Sequence, residues 1–227
     1  MVAECSICRD IGWLLTDERD RDNMPMTVAC LDCERGIEEW RRTVGLKPGE
    51  RIPTFGDFSP ALQSGPDRTS AIAALKEAAA WMAGDLHGLA LSGPVGVGKS
   101  HLAKAALWHA AKGGIRGRYM TMARFDWETK DFEAKPWVQE RRRQVLFAIP
   151  RLVIDDVGSG NRENSAWIRE RLSEMFDERY RAGVGTFFTT NLTEPEFVAA
   201  IGIRSWDRLS ENGRLIYMPG ESQRGKA

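Results

Sequence analysis

Five short apolar runs recur between Leu89 and Met218: Leu89–Ser92 (LALS), Gly117–Met122 (GRYMTM), Leu152–Val157 (LVIDDV), Gly185–Asn191 (GTFFTTN) and Leu215–Met218 (LIYM). Most are continuously apolar rather than alternating, the pattern of strands buried on both faces. Between them the period lengthens. Ser165–Arg181 sets Trp167, Ile168, Leu172, Met175, Phe176 and Tyr180 along one helical stripe, and Leu102–Ala111 is a second helical run. Strand–helix alternation predicts an α/β fold, a parallel sheet with helices on both faces. Upstream of Thr69 the pattern stops. Residues 49–68 are rich in Pro, Gly and Ser and predict a linker. Residues 1–48 hold every cysteine and form a separate module.

Composition changes this picture in two places. The 227 residues allow one ordinary domain plus a small module, and 42% hydrophobic residues suffice for a real core. The zero net charge hides an asymmetry: residues 1–50 carry 7 Lys+Arg against 11 Asp+Glu, and residues 51–227 carry 25 against 21. The front is acidic and the body mildly basic. The N-terminal MVAECSICRDIGW lacks a basic start and an apolar segment, so no secretory signal is expected. The longest apolar runs fall short of a membrane span. A cytoplasmic location follows, with the four cysteines held as thiols.

The first run leads into Gly93-Pro94-Val95-Gly96-Val97-Gly98-Lys99-Ser100, a full match to the phosphate-loop pattern. Its glycines let successive backbone N–H groups point at phosphate oxygens. Lys99 brings charge to the β- and γ-phosphates, and the Ser100 hydroxyl suits Mg²⁺. The helix that follows turns its positive end toward the anion. His101, in its first turn, is counted with the nucleotide-binding stretch. The rings of His87, His101 and His109 have no spacing suited to a shared metal or to catalysis and read as structural.

A phosphate loop needs a carboxylate for the metal. The LVIDDV run ends in two: Asp155 would hold magnesium, and Asp156 would polarise the attacking water as general base. The plainer alternative is an aspartate pair capping a strand end. The next run ends in Asn191, whose amide suits a γ-phosphate or a water, although Asn is also a common turn residue.

SGPVGVGKSHLA, LVIDDVG, FFTTNL and IRSWDRL, in that order, resemble the AAA+ ATPases of the DnaC/IstB group, which are helicase loaders and helper ATPases of transposition. The resemblance covers roughly residues 85–227. It implies five parallel strands and ATP hydrolysis coupled to oligomer assembly. It also implies the sensor asparagine at Asn191, an arginine finger at Arg208 that completes a neighbour's site, and the second sensor arginine at Arg224. Asp156 stands where many relatives carry Glu. Arg208 has a plainer reading, a surface pair with Asp207 or Glu211. A helical lid beyond Arg224 is expected to be minimal or absent.

Cys5-x-x-Cys8 and Cys30-x-x-Cys33 offer four thiolates, the tetrahedral set of a structural Zn²⁺; a redox dithiol is the alternative. A metal would supply folding energy that so small a module cannot get from a core, and deletion of residues 1–48 is expected to leave a folded ATPase that no longer binds its protein partner. Acidic charge argues against DNA as the module's ligand and for a protein partner, and the resemblance to DnaI-type loaders implies the replicative helicase. Between the second and third runs, Phe125, Trp127, Phe132 and Trp137 lie among Lys135 and Arg141–Arg143. These residues suit single-stranded DNA, or else core packing with a solvated arginine face. The reading that follows is an oligomeric, ATP- and Mg²⁺-dependent helicase loader. Alternatives are an IstB-like helper ATPase, a nucleotide-gated adaptor and, less consistent with the motif set, a small-molecule kinase.

Overall fold

The computed structural model describes residues 5–7, 9, 13–19, 25–60, 65–130, 135–158 and 165–223. Five strands form one sheet in the order β4-β5-β6-β3-β7, with every neighbouring pair parallel. They are β3 (Gly88–Ser92), β4 (Gly117–Thr121), β5 (Arg151–Val157), β6 (Gly185–Thr190) and β7 (Gly213–Tyr217). Ahead of them, β1 (Trp13–Arg19) and β2 (Pro25–Ala29) make an antiparallel hairpin between the two cysteine pairs.

Side chains alternate between the two faces of the sheet, and two cores result. Leu89, Leu91, Val153 and Phe187 pack with α1 (Glu34–Thr43), α2 (Gly65–Ala83) and α3 (Lys99–Lys112). Ala90, Leu152, Ile154 and Phe188 pack with the helices of the other face: α4 (Met122–Lys130), α5 (Pro136–Ala148), α6 (Ser165–Arg181), α7 (Glu194–Ile201) and α8 (Ile203–Glu211). Helices on both faces are what continuously apolar strands require, since each strand has two sides to cover.

The strand-like runs end within about a residue or two of the observed strands. The last run differs most, because β7 begins at Gly213 rather than Leu215. A glycine carries no apolar signal, yet the backbone there has no room for another residue: a Cβ on Gly213 would meet the Leu209 carbonyl oxygen at 2.4 Å and that of Gly88 at 2.6 Å. On α6 the stripe closes differently than its composition suggests. Tyr180 is half-buried, and the fully buried residue is Arg179. Its guanidinium donates to the Thr186 hydroxyl and to the carbonyls of Leu146, Ile149 and Gly185, tying α5, α6 and β6 together. Burial, with Arg151 close by, pushes its pKa below the ordinary arginine range.

The stretch before the sheet is packed. Trp40, Val44 and Leu46 are buried in the same cluster as Leu102 and Ala103 of α3, and Trp40 meets Trp108 edge-on at 4.8 Å. Ile52, Phe55 and Phe58 pack against that cluster, and α2 begins at Gly65, inside the Pro/Gly-rich segment. Removing residues 1–48 therefore strips a tryptophan and two aliphatic side chains from the core. Loss of a buried Trp alone costs about 3–5 kcal/mol. A chain lacking residues 1–48 is expected to melt far below the full chain, whereas one lacking residues 1–33, which keeps α1, is expected to melt close to it. Thermal unfolding of the two truncations checks this.

Candidate functional site

β3 delivers the chain to a six-residue loop, Gly93–Gly98, and α3 starts at once with Lys99. Two glycines mark where this loop tolerates no side chain. Gly96 has φ 90° and a Cβ on it would meet the Ser222 hydroxyl oxygen at 2.1 Å; Gly98 has φ 105° and its Cβ would meet the Phe58 ring at 2.6 Å. Both backbones are left-handed, the region open to glycine. Val97 is fully buried and anchors the loop in the core, while Val95 is exposed.

Two segments therefore flank the loop. On one side, residues 54–58 lie along α3, where the His101 ring donates from Nε2 to the Thr54 carbonyl at 3.0 Å and Phe55 stacks on His109 at 4.7 Å. Both histidines are structural anchors for this strap. On the other side runs the chain after β7. Met218 donates its N–H to the Ser92 carbonyl at 2.7 Å, and Gln223 donates its N–H to the Gly96 carbonyl at 2.9 Å.

Lys99 is buried at the base of the loop. Its Nζ donates to the Gly93 carbonyl at 2.6 Å, the Pro94 carbonyl at 2.7 Å and Asn191 Oδ1 at 2.9 Å. Asn191 stands just past β6, and its Nδ2 donates to Asp156 Oδ1 at 3.0 Å. One amide thus bridges the loop lysine to the second aspartate of β5. Asp155 is buried beside Ser100, which donates its hydroxyl to Asp155 Oδ1 at 2.8 Å. Thr189 donates to the same oxygen, and Tyr119 donates to Asp155 Oδ2 at 2.5 Å.

The adjacent aspartates would point to opposite faces of a regular strand. They do not act as such here, because the β5–β6 register shifts between Ile154 and Val157 and Asp156 takes φ 62°. A bulge of this kind re-aims a side chain. The Asp156 N–H then donates to Thr189 Oγ1 at 2.9 Å. A non-glycine residue with positive φ costs on the order of 1–3 kcal/mol and persists where surrounding structure enforces it, often at functional sites. Burial, then the Asp155 charge, push the Tyr119 hydroxyl far above the ordinary tyrosine pKa, so it stays a proton donor.

The sequence motifs identified Lys99, Ser100, Asp155, Asp156 and Asn191, and the fold brings these five to one place. Tyr119 and Thr189 were missed as members of the site. Their only sequence signal is a polar atom inside an apolar strand. Arg208 lies apart on α8, ion-paired with Asp177 of α6 at 2.8 Å and 5.7 Å from the Tyr180 ring, rather than with Asp207 or Glu211. Arg224 lies outside the described residues.

The cysteine segment also converges. The sulfurs of Cys5, Cys30 and Cys33 all lie within 4.8 Å of one another, with Cys5 Sγ and Cys30 Sγ 3.9 Å apart. Zn–S bonds of about 2.3 Å in a tetrahedron put sulfurs about 3.8 Å apart, so the donor set fits zinc. Cys33 Sγ also caps α1, accepting the Gly36 N–H at 3.4 Å. Cys8 lies outside the described residues.

The aromatics between β4 and β5 divide. Phe125 is buried core, whereas Trp127 on α4 and Trp137 on α5 are 52% and 66% exposed. The Arg124 guanidinium covers the Trp127 ring at 4.5 Å, and Lys135 is exposed just before α5. Arg143 pairs with Glu174. Phe132 lies outside the described residues. No described helix is long and apolar enough to cross a membrane.

Comparison with known proteins agrees with this fold. The family model described as IstB-like ATP binding protein matches residues 34–227, starting where α1 starts. Among solved structures, the DnaC helicase loader superposes with a TM-score of 0.57 at 25% identity, covering 72% of this chain and 97% of that one. DnaI gives a TM-score of 0.60 at 20% identity, covering 75% and 90%. The replication initiator DnaA bound to AMPPCP and single-stranded DNA gives 0.59 at 19% identity, covering 74% of this chain and 50% of that one. No curated protein matches the chain.

Proposed function

We propose that this chain, which belongs to the family of IstB-like ATP-binding proteins, is an ATP-driven loader that places a replicative helicase on single-stranded DNA. The observation that carries the reading is the Asn191 bridge, with Lys99 Nζ at 2.9 Å on one side and Asp156 Oδ1 at 3.0 Å on the other. It joins the start of α3 to the ends of β5 and β6, and so gathers a phosphate-binding lysine, a water-orienting amide and a candidate base in one place, the parts that phosphoryl transfer draws on. Binding alone would use Asp155 for the metal and leave the Asn191–Asp156 contact without a task.

The residues fit a magnesium-bound nucleoside triphosphate. Gly93 to His101 would hold the phosphates, Ser100 and Asp155 the magnesium, and Arg224 would join them from the chain's end. Bound ATP supplies the phosphoanhydride to be cleaved, and the magnesium neutralises charge on its oxygens. Lys99 adds charge at the β- and γ-phosphates. Asp156 accepts a proton at its carboxylate from the attacking water, and the Asn191 amide keeps that carboxylate aimed. Arg208 acts on the site of a neighbouring copy, so turnover depends on assembly. Cys5, Cys8, Cys30 and Cys33 hold zinc as a structural crosslink, and the acidic module around it faces the helicase. The DnaC loader, similar over most of both chains, supports the choice of partner.

Single-stranded DNA would run along α4 and α5, stacking on Trp127 and Trp137 beside Arg124 and Lys135. The initiator DnaA, of like fold, was solved with single-stranded DNA. A second reading, helper ATPase of transposition, draws on the family's own name. The test is the ATPase rate of zinc-loaded protein over a dilution series, with single-stranded or duplex DNA. The loader is expected to turn over faster with rising protein concentration and with single-stranded DNA. Flat, negligible turnover with tight ATP binding would make it an adaptor, and a response confined to duplex would favour transposition. Replacing Trp127 and Trp137 by Ala is expected to weaken single-strand binding by about 1–3 kcal/mol per lost base stack, read by fluorescence anisotropy, with basal turnover intact.

A further inference from the structure

Asp155 receives three hydroxyl donors: Ser100 and Thr189 at Oδ1 and Tyr119 at Oδ2. Ser100 belongs to the phosphate loop's helix and Thr189 to the neighbouring strand β6. Tyr119 comes from the other side, on the edge strand β4. Register pairs Tyr119 with Val153 and Thr121 with Asp155, so Tyr119 is the diagonal neighbour of the carboxylate on the same face of the sheet. A diagonal pair stands about 7–8 Å apart at the backbone, a span an aromatic side chain can bridge. The hydroxyl reaches Asp155 Oδ2 at 2.5 Å while the ring lies under Lys104 Nζ at 4.9 Å.

The geometry points to Tyr119 as a positioning residue for magnesium: its hydroxyl fixes the Asp155 carboxylate in the rotation that presents Oδ1 to the Ser100 hydroxyl and to the metal's shell. The inference rests on the ATP–Mg²⁺ reading of this site. A carboxylate at a strand end can turn about its last bond. Held at Oδ1 alone, by Ser100 and Thr189, it pivots; held also at Oδ2 it does not. The donor at Oδ2 comes from Tyr119, so the edge strand sets this restraint. Tyr119 would not touch nucleotide or metal and would act through Asp155.

Tyr119→Phe keeps the ring and removes only the hydroxyl. The readouts are binding of a fluorescent ATP analogue with EDTA, the same binding across a Mg²⁺ titration, and Mn²⁺ binding to the nucleotide complex by electron paramagnetic resonance. Expected are an unchanged metal-free affinity, a Mg²⁺ half-saturation raised about tenfold, as for loss of one hydrogen bond to a charged group, and a matching loss of Mn²⁺ affinity. Equal weakening with and without metal would mark Tyr119 as packing alone and overturn the inference. So would an unchanged Mg²⁺ dependence beside a wild type that needs Mg²⁺. A wild type whose ATP binding ignores Mg²⁺ altogether would instead overturn the reading of the site, and the inference with it.

Discussion

Lys99→Ala is expected to weaken ATP binding by about 100-fold or more while leaving the fold intact. The ammonium donates to two loop carbonyls and to Asn191 at 2.6–2.9 Å, so it is already held at the floor of the loop. Phosphate oxygens would take over some of these bonds. A hydrogen bond to a charged group contributes about 1.5–3 kcal/mol, and each 1.4 kcal/mol is about tenfold in affinity. Two such bonds account for the expected loss. The helix should survive, because Ala is the best helix former and Lys99 is the first residue of α3. Titration calorimetry with ATP and Mg²⁺, beside a thermal melt, measures both. ATP binding at wild-type strength in a folded variant would move the nucleotide site elsewhere.

Which parts of this molecule are readable in sequence follows from where the information lies. The five strands were visible because most are short, largely continuous apolar runs, and α6 because its stripe keeps helical spacing. The phosphate loop and its partners were visible because chemistry fixes their types: glycine where φ must be positive, lysine and a hydroxyl beside it, carboxylates at a strand end. Contacts between distant segments were not. Trp40 on Trp108, Phe58 against Gly98 and Gln223 on Gly96 are pairings across many residues, and composition gave the strap between the cysteines and α2 only a loop signature. Arg179 shows the same limit. Its charge marks it for the surface, and only the convergence of carbonyls from Leu146, Ile149 and Gly185 makes its burial tolerable. Tyr119 and Thr189 look like ordinary strand residues until β4, β5 and β6 are set side by side.

Arg208→Ala is expected to leave ATP binding unchanged and to remove about 10³-fold or more of the assembly-dependent hydrolysis. Within one chain the guanidinium pairs with Asp177 at 2.8 Å and lies over Tyr180, whose hydroxyl donates to Glu211. That network opens when Arg208 turns to a neighbour's site. The side chains of Arg208 and Asp177 are 26% and 19% exposed and Asp177 Oδ1 is shielded from solvent, so the pair lies between a surface pair at about 0–1 kcal/mol and a buried one, whose breaking costs about 3–5 kcal/mol. A 10³-fold rate effect corresponds to about 4 kcal/mol at the transition state, enough to offset the release of a partly buried pair. The discriminating experiment mixes Arg208→Ala with Lys99→Ala. Each is inactive alone, but a mixed assembly sets the intact Arg208 of one chain against the intact loop of another. Recovered turnover that rises with the mixing ratio would establish action between chains. A mixture as inactive as its parts would leave Arg208 as the brace that joins α8 to α6, and hydrolysis would then depend only on groups within a single chain.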